Sequence, residues 1–121
     1  MLNYSIMQPE GILVLRPIAP LSKSDFGVLG ADVDAYLANH DRLHGVMVQV
    51  KGFPGWEDFE GFSAHLHFLR EHRKQVERVA MVTDSALAGM AEMMGKHFTS
   101  AEVKHFPFTG DAKALEWLQA D

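Results

Sequence analysis

A chain of 121 residues, 47% of them apolar and with a formal charge of -5, has the size and composition of one globular domain. The absence of cysteine excludes disulfide staples, thiolate metal sites, iron–sulfur clusters and a cysteine nucleophile. The acidic balance gives no general attraction to nucleic acid or to an anionic membrane.

The densest basic group, Arg70, Arg73 and Lys74 with Glu71 among them, reads as the solvated end of a helix. The opening Met1-Leu2-Asn3-Tyr4-Ser5 lacks the basic segment and long apolar run of a secretory signal. No window reaches the roughly 20 apolar residues needed to span a bilayer, so a cytoplasmic location is expected.

In chain order, Asn3 to Met7 suits a short edge strand, with a turn at Pro9-Glu10-Gly11. Ile12 to Ile18 is a strong strand of β-branched and aliphatic residues, weakened at its far end by Pro17 and Pro20. Ser22 or Ser24 caps a helix to about His40, with Phe26, Leu29, Val33 and Leu37 as its buried stripe. His44 to Lys51 forms the next strand and ends in the loop Gly52-Phe53-Pro54-Gly55-Trp56.

A second helix is expected from about Glu57 to Gln75, burying Phe59, Phe62, Leu66 and Leu69, with acidic residues at its start. Arg78 to Thr83 is a strand. Asp84 and Ser85 then supply a capping signal for a helix from about Ala86 to Lys96. Ala101 to Phe108 is the last strand, and Gly110-Asp111 introduces a terminal helix through Leu118.

The resulting order is β-β-α-β-α-β-α-β-α. Strands separated by helices pair in parallel, because a parallel partner needs a crossover. Right-handed crossovers advancing one way put successive helices on one sheet face. Alternation of Val46, Val48 and Val50 with Met47, Gln49 and Lys51 predicts a sheet covered well on that face and only partly on the other.

Four segments in this order carry a family resemblance: Val46 to Lys51 with Gly52-Phe53-Pro54-Gly55-Trp56-Glu57-Asp58; Arg78-Val79-Ala80-Met81-Val82-Thr83-Asp84; Phe98-Thr99-Ser100-Ala101-Glu102-Val103-Lys104-His105-Phe106; and Ala114-Leu115-Glu116-Trp117-Leu118. Together they resemble the SpoIIAA-like superfamily, the fold of the sulphate-transporter and anti-sigma-factor-antagonist domain, and most of all its small bacterial proteins of unknown function. The resemblance implies an α/β fold: a mostly parallel sheet of about five strands with β-α superhelical turns and an added N-terminal strand. For the better-known relatives it also implies protein–protein regulation, switched by phosphorylation of a Ser or Thr at the helix start after the central strand. Here that stretch has no hydroxyl before Ser63, and Glu57 and Asp58 make it acidic already. The phosphoswitch is not carried over.

No arrangement of residues predicts catalysis. His65, His67 and His72 share one helix, but convergence on a metal needs spacings of three or four, and no His-Glu-x-x-His occurs. No Gly-x-Ser-x-Gly elbow is present, and capping explains Asp84 and Ser85. The Gly52–Trp56 loop lacks the Lys-Ser/Thr ending of a phosphate loop, and Pro54 removes an amide donor.

Phe53, Pro54 and Trp56 are instead bulky residues just past a strand's C-terminal end, where open α/β sheets place ligands, although such a Trp also serves as a core plug. Leu87, Met90, Ala91 and Met94, widened by Met93, form a second apolar stripe suited to adaptable contacts or to ordinary core filling. The expectation is a non-enzymatic, regulatory protein-interaction domain, self-associating as a dimer and without cofactor. Its contact residues are Phe53, Pro54, Trp56, Asp84, Ser85, Met90 and Met93. The alternative is a carrier or sensor of a small apolar ligand such as a fatty acid, held between the Phe53–Trp56 loop and helices bearing Phe62 and Met90.

Overall fold

Strand β1 (Leu2–Met7) runs antiparallel to β2 (Ile12–Pro17), and β3 (Leu43–Gln49), β4 (Val76–Val82) and β5 (Glu102–Phe106) follow in parallel, so the sheet order is the chain order. The computed structural model describes residues 1–7, 10–84 and 102–120. Helix α1 (Lys23–Leu37) joins β2 to β3. Helix α2 (Phe59–His72), closed by a 3-10 turn at Arg73–Gln75, joins β3 to β4. Helix α3 (Asp111–Gln119) follows β5. The expected α/β fold is therefore present, added antiparallel strand included. Ser85, Met90, Met93 and the helix expected around them lie outside the described residues.

Local chemistry accounts for the boundaries. Ser22 and Asp25 form a reciprocal capping box at the start of α1, the side chain of each accepting the other's backbone N–H. Gly11 turns the first hairpin at φ +73, a backbone conformation that disfavours side chains. A Cβ there would also fall 2.7 Å from the Tyr36 hydroxyl.

Two core layers flank the sheet. Leu13, Leu43 and Val46 face Leu21, Phe26, Leu29, Val33 and Tyr36. On the other side Ile12, Val14, Met47, Ala80, Val82 and Phe106 face Ala114 and Leu118 of α3. Two sequence expectations change accordingly. Tyr36 closes the buried stripe of α1, while Leu37 is only partly buried.

The second change is that α3 lies opposite α1 and α2 rather than on their face. It covers that face only in part, as the strand alternation predicts, and Asn3, Ser5, Arg16 and Lys104 stay exposed there. The strand sequence is matched to α3: a Cβ at Gly45 would meet the Leu118 side chain at 2.7 Å. Arg78 of β4 secures its end, donating to the carbonyls of Trp117 and Ala120 at 2.6 Å each, with its guanidinium over the Trp117 ring.

Candidate functional site

The loop after β3 is pinned by its backbone. Leu21 N–H donates to Gly55 O, Glu57 N–H donates to Leu21 O, and Leu21 and Trp56 form a parallel bridge. Asp58 then starts α2, its carboxylate accepting the Gly61 N–H at 2.9 Å. The helix start where the relatives' phosphoswitch would lie thus carries a capping carboxylate.

The Trp56 side chain is neither sealed nor free. Its indole packs edge-on against Phe53 and Phe62, with ring centroids 5.0 and 4.8 Å away. Its N–H donates to His65 Nδ1 at 3.1 Å. His65 in turn stacks on Phe26 of α1 at 4.7 Å. Burial holds this imidazole well below its ordinary value, at about 4, so it stands neutral and free to accept the indole proton.

Helix α2 has two faces of opposite use. Its inner face, Gly61, Ala64, His65, Phe68 and His72, packs toward α1. A Cβ on Gly61 would lie 2.5 Å from Leu21 O, and the His72 ring bridges Phe68 O and Asp34 Oδ1 at 2.9 Å each. Its outer face is the stripe expected to be buried, and the structure reverses that expectation. Phe59 is 79% exposed, Leu66 41% and Leu69 46%, beside a Trp56 that is 37% exposed.

Phe62 alone of that stripe is partly covered, by Trp56. The inner face carries two small residues, Gly61 against the Leu21 backbone and Ala64, the Phe68 ring against Phe26, and two imidazoles with partners on α1. Positions 59, 62, 66 and 69 are spaced three, four and three apart, a seam narrower than a core-facing stripe.

Of the other predicted site residues that are described, Phe53 meets this surface at Trp56 and Asp84 is engaged elsewhere. Phe53 and Pro54 are partly buried in the loop, Phe53 against the helix-side core. Asp84 is exposed, and its carboxylate accepts the Phe108 N–H at 3.0 Å, stapling the ends of β4 and β5. His67 pairs with Glu71 along α2. Among the described residues no three His, Asp or Glu side chains gather as a metal site.

The Phe53, Trp56 and Phe62 rings fill the space between loop and helix. An open groove of about 510 Å³ lies instead between β1 and α1, lined by Tyr4, Ile6, Asp32, Tyr36, Asn39 and His40 among others. No described helix is long and apolar enough to cross a membrane.

Comparison with known proteins agrees with this architecture. An uncharacterized protein of the DUF3478 family with a SpoIIAA-like fold, from Shewanella loihica PV-4, superposes with a TM-score of 0.76. The match covers 98% of this chain and 92% of that one at 20% identity, so the likeness is one of fold. No curated protein matches the chain. The SpoIIAA-like family model matches residues 12–119, and the chain belongs to that family.

Proposed function

We propose that this chain is a non-enzymatic interaction domain of a bacterial cytoplasmic system, and that its outer α2 face binds an amphipathic helix of a partner protein. One observation carries the reading: Phe59, Leu66 and Leu69 stand exposed in a seam of three- and four-residue steps that continues through Phe62 to Trp56. Contiguous exposed apolar surface marks interaction sites, and heptad-like spacing is complementary to a second helix. The inner face keeps α2 fixed on α1, so the seam is presented by a rigid element.

Regulation in this reading needs no phosphorylation at the start of α2, where Asp58 already supplies negative charge and the cap. The carboxylate of Asp84 is occupied by a backbone N–H, which favours a structural role for that residue over a chemical one.

The test is photo-cross-linking in cells from benzoylphenylalanine placed at Phe59 or Leu66, with Glu60 on the same helix as control. The expected result is one protein captured from both seam positions, through a peptide with apolar residues at heptad spacing, and not from Glu60. Equal capture from all three positions, or adducts with lipid only, would overturn the reading.

A further inference from the structure

The two described edges of the sheet differ in chemistry. β5 (Glu102–Phe106) carries Glu102, Lys104 and His105. Charges of this kind deter strand pairing at exposed edges. β1 (Leu2–Met7) has six residues, Leu-Asn-Tyr-Ser-Ile-Met, with no charge, no proline and no bulge in its register with β2. Helix α1 does not cover it: the 510 Å³ groove separates the strand from the helix along this edge.

The phase of the β1–β2 ladder shows which groups the bare edge presents. Ile18 N–H donates to Met1 O, and Gly11 N–H donates to Met7 O. Bonded and non-bonded pairs alternate in an antiparallel ladder, so Asn3, Ser5 and Met7 bond toward β2. Leu2, Tyr4 and Ile6 therefore direct their N–H and C=O groups away from it. Pro17, which has no N–H to give, sits opposite Leu2 in a non-bonded pair, as this phase requires. The side chains of Leu2, Tyr4 and Ile6 lean on the helix-side core, while Asn3 and Ser5 are exposed on the other face. The Tyr4 hydroxyl donates to Asp32, the one acidic side chain among the described residues lining the groove, which ties the ring to α1.

From this we infer that β1 is the site of self-association, pairing antiparallel with β1 of a second copy about a two-fold axis through Tyr4. Charge favours a second copy as the occupant. Two chains of net charge -5 repel wherever their charged surfaces meet, but β1 itself carries none of the 16 acidic residues, and the one that lines the groove, Asp32, is engaged by the Tyr4 hydroxyl of its own chain.

Register favours it too. With Tyr4 opposite Tyr4 of the second copy, Leu2 falls opposite Ile6 and Asn3 opposite Ser5. The edge is thus self-complementary, as a two-fold interface requires. The six outward-facing residues of the two copies exchange about six main-chain hydrogen bonds. Both sets of apolar side chains lie on the same face, where the two grooves meet. This surface is separate from the outer face of α2, so either proposal can fail without the other.

The absence of cysteine makes the register directly testable. Asn3 and Ser5 of the two copies would form a non-bonded antiparallel pair, whose close Cα approach suits a disulfide. Under mild oxidation the double variant Asn3→Cys with Ser5→Cys should form a covalent dimer, whereas either single variant should not. Sedimentation of the unmodified chain should show a mass of two copies. Tyr4→Pro, which removes one outward N–H and none of the donors to β2, should shift it to one copy with an unchanged circular dichroism spectrum. A monomeric unmodified chain, or cross-linking by the single variants equal to that of the double variant, would overturn the inference. A folded Tyr4→Pro variant that remained a dimer would do the same.

Discussion

The Trp56 indole N–H donates to His65 Nδ1, which fixes the imidazole as the tautomer protonated on Nε2 and ties the loop after β3 to the inner face of α2. Burial lowers the His65 pKa to about 4 from 6.5. Between these values the unfolded chain binds a proton that the folded chain refuses. The stability conferred by a neutral His65 is therefore complete above the unfolded value and is lost as acidification proceeds toward 4. Urea midpoints followed by circular dichroism should fall between about pH 7 and about pH 5, and fall less in His65→Phe. Equal slopes in the two proteins would remove His65 as their source.

Gly61→Ala reverses a familiar sign. In an exposed helix interior the change gains about 1 kcal/mol. Here the new methyl would lie 2.5 Å from Leu21 O, a backbone atom held by the bridge to Trp56 and by the Glu57 N–H. Overpacking of this kind costs about 1–3 kcal/mol, so a net loss is expected in a denaturant titration. A stabilised variant would show that the two segments separate easily.

Phe59→Glu and Leu69→Gln should change stability by no more than about 0.5 kcal/mol, because neither side chain is part of the core in the folded chain. Both should abolish capture of a partner at the seam. A large loss of stability in either variant would place the residue in a contact that is absent here.

Arg78→Met should destabilise by about 2 kcal/mol. It deletes two charge-assisted hydrogen bonds to the C-terminal carbonyls of α3 and the cation above Trp117. Thermal unfolding measures the loss. Arg78→Lys should recover only part of it, since the compact ammonium lacks the planar guanidinium that lies over the Trp117 ring.

The elements were legible in the sequence because each rests on local signals. Ser22, one of the two serines offered as the cap, the apolar runs at Ile12 and Val46, and the glycine at position 11 mark helix start, strands and turn from neighbouring residues alone. The side of the sheet that α3 occupies was not legible, because it is set by the fit of Ala114 and Leu118 to distant strand residues such as Gly45, which no local signal encodes. The face of α2 was misread for a related reason. Large apolar residues at 59, 62, 66 and 69 look like a core stripe, whereas the packing surface is made by Gly61, a small Ala64, one large apolar ring at Phe68 and two histidines whose partners lie in distant segments. At the candidate site, Trp56 packs against the rings at 53 and 62, an arrangement that spacing alone does not encode.

The contrast between the two sheet edges limits how far assembly can proceed. Once β1 is joined to its counterpart, the enlarged sheet of ten strands ends at both margins in β5, and the charges there oppose further growth. Such a sheet closes at two subunits. The same chain with neutral residues at 102 and 104 would leave both margins open, and fibrous aggregates would be its characteristic failure.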